Sequence, residues 1–106
     1  TLRDPAPASA MAADGREIPL AHGRILHVVQ RPDAPVRVLL TGHMDTVFGP
    51  DHPFQACRWL DADTLNGPGT ADMKGGIAVM LAALSAIAAS PFAARIGWDV
   101  MINADE

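Results

Sequence analysis

Lysine occurs once in this chain, at Lys74, cysteine once, at Cys57, and tyrosine not at all. One cysteine excludes an intrachain disulfide and argues against a disulfide-stapled secreted scaffold. A buried or half-buried thiol is the expectation for Cys57. Basic residues are scarce and scattered: eight against twelve acidic ones, for a formal charge of −4. Nucleic acid and anionic membrane surfaces are therefore poor partners. The longest apolar stretch, Gly75 to Ala89, is short of the roughly 20 residues that a membrane span needs. No signal stretch is visible, but the chain opens on Thr1 and stops at Glu106 directly after a strand-like run, so both ends look cut. The cytoplasm is the expected compartment, with the periplasm as the alternative.

What remains is a 106-residue chain, 49% apolar, of a size that can own one core. The first fourteen residues read as a loose lead-in. Ile18–Leu20 and Ile25–Gln30 are short strand candidates flanking His22-Gly23, and together they could form a hairpin. Val36–Thr41 is apolar, β-branched and without alternation, as in a strand buried on both faces of a parallel sheet. Between positions 46 and 70 lie two hairpin arms, near Arg58–Leu60 and Thr64-Leu65. Met73–Ala89 carries Ile77, Met80, Leu81, Leu84, Ile87 and Ala88 at helical spacing, and Ser90-Pro91 ends it. Ile96–Asn103 is the second long strand. The order is a βαβ unit with a hairpin inserted in its first connection.

That topology has a chemical consequence. Ligands bind at the carboxyl ends of the strands of an open α/β sheet. His43 and Asp45 follow the first long strand, Asp105 and Glu106 follow the second, and Asp72 precedes the helix between them. All converge on one edge. His43 and Asp45 stand at i and i+2, on one face if extended. Either both bind one metal, or His43 binds and Asp45 holds the imidazole from behind; the bland alternative is a histidine satisfying the backbone and an aspartate capping a turn. Asp72 reads blandly as a helix N-cap. Gly75-Gly76 in a first turn costs about 1 kcal/mol per residue relative to Ala, which points to a place where β-carbons would obstruct something. A phosphate loop would also use glycines, but its Gly-x-x-x-x-Gly-Lys-Ser/Thr order is absent. Asp105-Glu106 is a solvated turn, or, beside a divalent metal, a general base. Lys74 is expected to pair with a nearby carboxylate. His22, His27 and His52 have no partner at ligand spacing.

Three runs together resemble a known family. They are Thr41-Gly42-His43-Met44-Asp45-Thr46-Val47, Gly67-Pro68-Gly69-Thr70-Ala71-Asp72-Met73-Lys74-Gly75-Gly76, and Asn103-Ala104-Asp105-Glu106. They are similar, in order and separation, to the di-zinc exopeptidases that include glutamate carboxypeptidase, aminoacylase, acetylornithine deacetylase and succinyl-diaminopimelate desuccinylase. The resemblance covers about residues 16 to 106.

It implies a fragment of a three-layer α/β/α catalytic domain with a mostly parallel sheet and an inserted β-hairpin. Residues 1–106 would be part of that domain, without its remainder or the dimerisation domain. His43 and Asp72 would be metal ligands, Asp72 bridging two Zn2+ (Co2+ or Mn2+ as alternatives), with a cis peptide after it. Asp45 would orient His43, and Glu106 would be the general base. The reaction implied is metal-assisted hydrolysis of an amide in a small peptide or N-acyl amino acid. A glutamate-carboxypeptidase-like activity comes first, a deacetylase or desuccinylase second, and a non-catalytic metal-binding module is the reading from a different class. The full-length protein would be a homodimer. The family pattern ends in Asp-Glu-Glu, and this sequence stops before the second Glu, so the fragment alone is expected to be inactive.

Overall fold

The computed structural model describes residues 1–105. Eight strands and one α-helix follow in the order β1 (Leu2–Arg3), β2 (Ala8–Met11), β3 (Glu17–Leu20), β4 (Ile25–Gln30), β5 (Val36–His43), β6 (Arg58–Trp59), β7 (Leu65–Asn66), α1 (Gly75–Ala89) and β8 (Ile96–Asn103). The main sheet has the order β1-β4-β8-β5. β5 runs parallel to β8 in unbroken register, from Val36 opposite Ile96 to His43 opposite Asn103. β4 lies antiparallel on the other side of β8, and β1 antiparallel to β4.

The sheet is thus mixed, not mostly parallel. The βαβ unit supplies the parallel pair, as its crossover requires; the other pairings come from the N-terminal strands, β4 antiparallel on β8 and β1 antiparallel on β4. Nor are the first residues a lead-in without structure. β2 pairs with β3 around a turn in which Gly15 has a positive φ of 83°, and β3 does not pair with β4. The inserted hairpin is present as β6 against β7.

α1 lies on one face of the sheet. Trp98, Val100 and Ile102, alternate residues of β8, form the buried core, and Leu26, Leu40, Ile77, Met80, Leu84 and Ile87 pack around them. Four of the six residues in the expected helical stripe are therefore used. Leu81 is exposed, because α1 is apolar on nearly every side and the sheet covers only one. By length and composition alone, Thr70–Ala89 could also cross a membrane. The radius of gyration is 17.9 Å, against roughly 13 Å for a compact chain of this length. The molecule is a slab 16 Å thick in its shortest dimension, and Leu39, on the sheet face away from α1, is 61% exposed. Cys57 is an exposed free thiol, not a buried one, because the short hairpin that carries it has no second layer.

The same open face carries a polar cluster. Asp99 on β8 meets His27 on β4, 3.0 Å from Nε2, and Arg37 on β5. These contacts, with the His27 hydrogen bond the largest cause, hold the Asp99 carboxyl below its usual range. A carboxylate with a lowered folded-state pKa stabilises above its unfolded value, about 3.9, and loses that contribution as pH falls through the lower folded value. Asp99→Asn in the full-length protein should therefore lower the urea midpoint at pH 6, and the gap from wild type should close as pH falls below about 4. A gap that persists at pH 2 would show that Asp99 acts by packing instead.

Candidate active site

The parallel ladder of β5 and β8 sets the position of the site. It carries past the last paired residues, because the Met44 N–H donates to the Asn103 carbonyl at 2.8 Å. His43 therefore leaves the sheet at a fixed height, beside the end of β8. Asp105, two residues beyond β8, is exposed at the same edge. Glu106, the expected base, lies outside the described residues.

The third segment arrives through the Gly67–Gly76 run. Gly69 takes a positive φ of 72°, which favours glycine, and the Lys74 N–H donates to its carbonyl at 2.8 Å. The Thr70 hydroxyl donates to the Gly67 carbonyl at 2.9 Å. Residues Thr70–Lys74 form a wide turn in which Asp72 (φ −120°, ψ 101°) and Met73 (φ −128°, ψ 33°) are not helical, and the Asp72-Met73 peptide is cis. The helix proper begins at Gly75, two residues later than expected. Asp72 is thus not an N-cap: its backbone is extended, outside the helix, and its carboxylate points elsewhere.

It points at His43. Asp72 Oδ1 lies 3.1 Å from His43 Nε2, and Asp45 Oδ1 lies 3.6 Å from His43 Nδ1. The two imidazole nitrogens thus face two different carboxylates, one on each side of the ring. The His43 side chain is 18% exposed and that of Asp72 is 77% exposed. The imidazole is held inward while the Asp72 carboxylate is open to solvent. Of the expected site residues, the structure brings together His43, Asp45 and Asp72. Among the described residues, no three His, Cys, Asp or Glu side chains form a ready metal-binding group.

Two contacts that sequence reasoning missed hold this arrangement. Met73 packs beneath Gly42: a β-carbon on Gly42 would come within 3.0 Å of the Met73 sulfur. The residue after Asp72 thus docks under the residue before His43. The second is the Lys74 ammonium, which lies over Gly69. Among the described residues Lys74 forms no ion pair, in contrast to the pairing expected for it. Of the remaining histidines, His27 pairs with Asp99, and His52 accepts the Phe54 N–H at Nδ1.

Beside Asp72 opens a cleft of about 360 Å³, lined in part by Val47, Phe48, Phe54 and Thr70. The only sequence signal for it was the presence of two of the three phenylalanines in the connection that follows Asp45.

Residues 39–106 match the sequence model of peptidase family M20/M25/M40. The chain belongs to this family. The match spans about two thirds of the chain and includes all three runs that resembled the exopeptidases. No curated protein and no solved structure gave a match. Membership points to a hydrolase, of the generally metal-dependent peptidase and amidohydrolase kind.

The paired glycines at the helix start give a stability test. The Gly75 N–H donates to the Thr70 carbonyl, and a β-carbon on Gly75 would lie 2.6 Å from that oxygen. One on Gly76 would lie 3.2 Å from the flexible end of Met73. Helix propensity alone favours Ala over Gly by about 1 kcal/mol. Gly75→Ala should nonetheless destabilise the full-length protein by about 1–3 kcal/mol, as overpacking against backbone does. Gly76→Ala should cost less. Denaturant midpoints check both, and a stabilised Gly75→Ala would refute the close approach.

Proposed function

We propose that this chain belongs to a metal-dependent hydrolase that cleaves an amide bond in a small peptide or an N-acyl amino acid. The observation that carries the reading is the pair His43–Asp72, brought to 3.1 Å from segments 29 residues apart, with Asp45 on the other side of the ring. A glutamate-carboxypeptidase-like substrate is the first reading. Deacetylation or desuccinylation of an N-acyl amino acid is the second.

The donors fit a divalent cation in part: one inward-held imidazole nitrogen and one solvent-open carboxylate converge, and a closed site needs more than two. Bound Zn2+, or Co2+ or Mn2+ in its place, would supply a more acidic water and a polarised carbonyl. In this reading His43 and Asp72 would be the residues that hold the metal, His43 through Nε2 and Asp72 as a carboxylate shared between two ions. Asp45 acts through His43: a carboxylate facing Nδ1 favours the proton there and leaves the Nε2 lone pair for ligation. Glu106 would take the proton of the attacking water and return it to the leaving amine. Its role rests on the resemblance.

The same reading makes residues 1–106 part of a three-layer α/β/α catalytic domain, and the uncovered sheet face around Leu39 supports a further layer there. It carries with it a homodimeric full-length protein in the cytoplasm, acting without nucleic acid or membrane.

The test is turnover of N-acyl amino acids by the full-length zinc-loaded protein. His43→Ala and Asp72→Ala should each remove activity to background and weaken zinc binding. Asp45→Asn should keep the fold and lose about 10- to 100-fold in activity or metal affinity. The isolated 106-residue chain should be inactive. Full activity after exhaustive chelation would overturn the metal dependence; zinc bound with no turnover of any amide would overturn the hydrolase reading and favour a binding module.

A further inference from the structure

We infer that the cleft beside Asp72 is a substrate subsite that takes an aromatic ring. The inference rests on the hydrolase reading, because it takes Asp72 to mark the reacting end of the substrate. At about 360 Å³ the cleft falls at the small end of ligand pockets, which run from roughly 300 to 1,000 Å³.

Its ring-bearing side is built, not incidental. Phe48 and Phe54 meet edge to face, with centroids 5.1 Å apart and planes at 82°. His52 packs on Phe48 at 4.8 Å and also holds the backbone N–H of Phe54. The Phe48 N–H is in turn held by the Thr46 hydroxyl at 3.3 Å. Two apolar rings are thus fixed from their own backbones, at the margin of a space that neither fills. Gly69 keeps that space open: a β-carbon there would come within 2.9 Å of the Thr46 methyl. Such surroundings suit a third ring, which can add to the edge-to-face pair.

Charge argues the same way. Among the described residues Asp72 is the one charged side chain that lines the cleft, and the hydrolase reading commits it to the metal, so the walls hold no cationic side chain to pair with an entering carboxylate. The Lys74 ammonium lies against Gly69, which lines the cleft, and makes an acidic occupant the rival to test. The ring could belong to the acyl group or to the amino acid, and substrates that differ in that respect separate the two.

The experiment compares N-acetylphenylalanine, N-benzoylglycine, N-acetylglutamate and N-acetylalanine on the full-length zinc-loaded protein. One aromatic substrate should exceed N-acetylalanine in kcat/KM by about tenfold or more, and which one tells the side of the amide that the cleft serves. Phe48→Ala and Phe54→Ala should cut that ratio about tenfold through KM. Val47 is 73% exposed at the margin, so Val47→Lys leaves the packing intact; it should raise N-acetylglutamate relative to the aromatic substrate by about two- to fivefold. In parallel, the ring NMR signals of Phe48 and Phe54 in metal-free protein should shift on adding N-acetylphenylalanine or N-benzoylglycine.

Ring shifts without turnover of any amide would sink the hydrolase reading and leave the aromatic cleft standing. Turnover with a wild-type preference for N-acetylglutamate, with equal losses on all substrates in the phenylalanine variants, or with silent ring signals would overturn the cleft.

Discussion

Everything at the candidate site depends on one backbone ladder. β5 and β8 stay in register over eight residue pairs, ending with His43 opposite Asn103, and the Met44 N–H extends the ladder by one more bond. Parallel pairing cannot be closed by a tight turn; it needs a crossover, here the hairpin and α1. The crossover must re-enter the sheet at the end where β5 began, so α1 has to start at the carboxyl edge and run back, and Asp72 stands just before that start. The meeting of His43 and Asp72 is therefore a result of chain topology before it is a result of side-chain attraction.

How much of this could be read beforehand differs by segment. β5, β8, α1 and the inserted hairpin were legible because their patterns are local: β-branched runs, helical spacing, and turn residues in the right order. The N-terminal pairings were not, because β1 and β2 are short, carry little apolar character, and acquire partners only through distant strands. The convergence of His43, Asp45 and Asp72 followed from strand ends alone. The extended backbone of Asp72 did not, since aspartate before a helix is ordinarily a cap, and the tertiary pull of His43 competes with that local preference. The aromatic cleft was the least legible, because its walls come from a connection with no periodicity.

Electrostatics divides the slab into two sheet regions with different tasks. On the open face, His27, Asp99 and Arg37 tie three adjacent strands together across the ladder. At the carboxyl edge, His43 stands between two acidic groups and the charges gather instead of cancelling. The first arrangement favours the sheet itself. The second favours a cation, which is the property the family's chemistry asks of that edge.

Gly42 and Met73 occupy one shared volume. A side chain at position 42 has room only if position 73 gives up its sulfur, and a shorter residue at position 73 would leave a void under the strand. The two positions, one before the histidine and one after the aspartate, thus form a single unit of variation. An exchange at either place travels to both sides of the site at once, so divergence here is expected to proceed by paired changes and not by single ones.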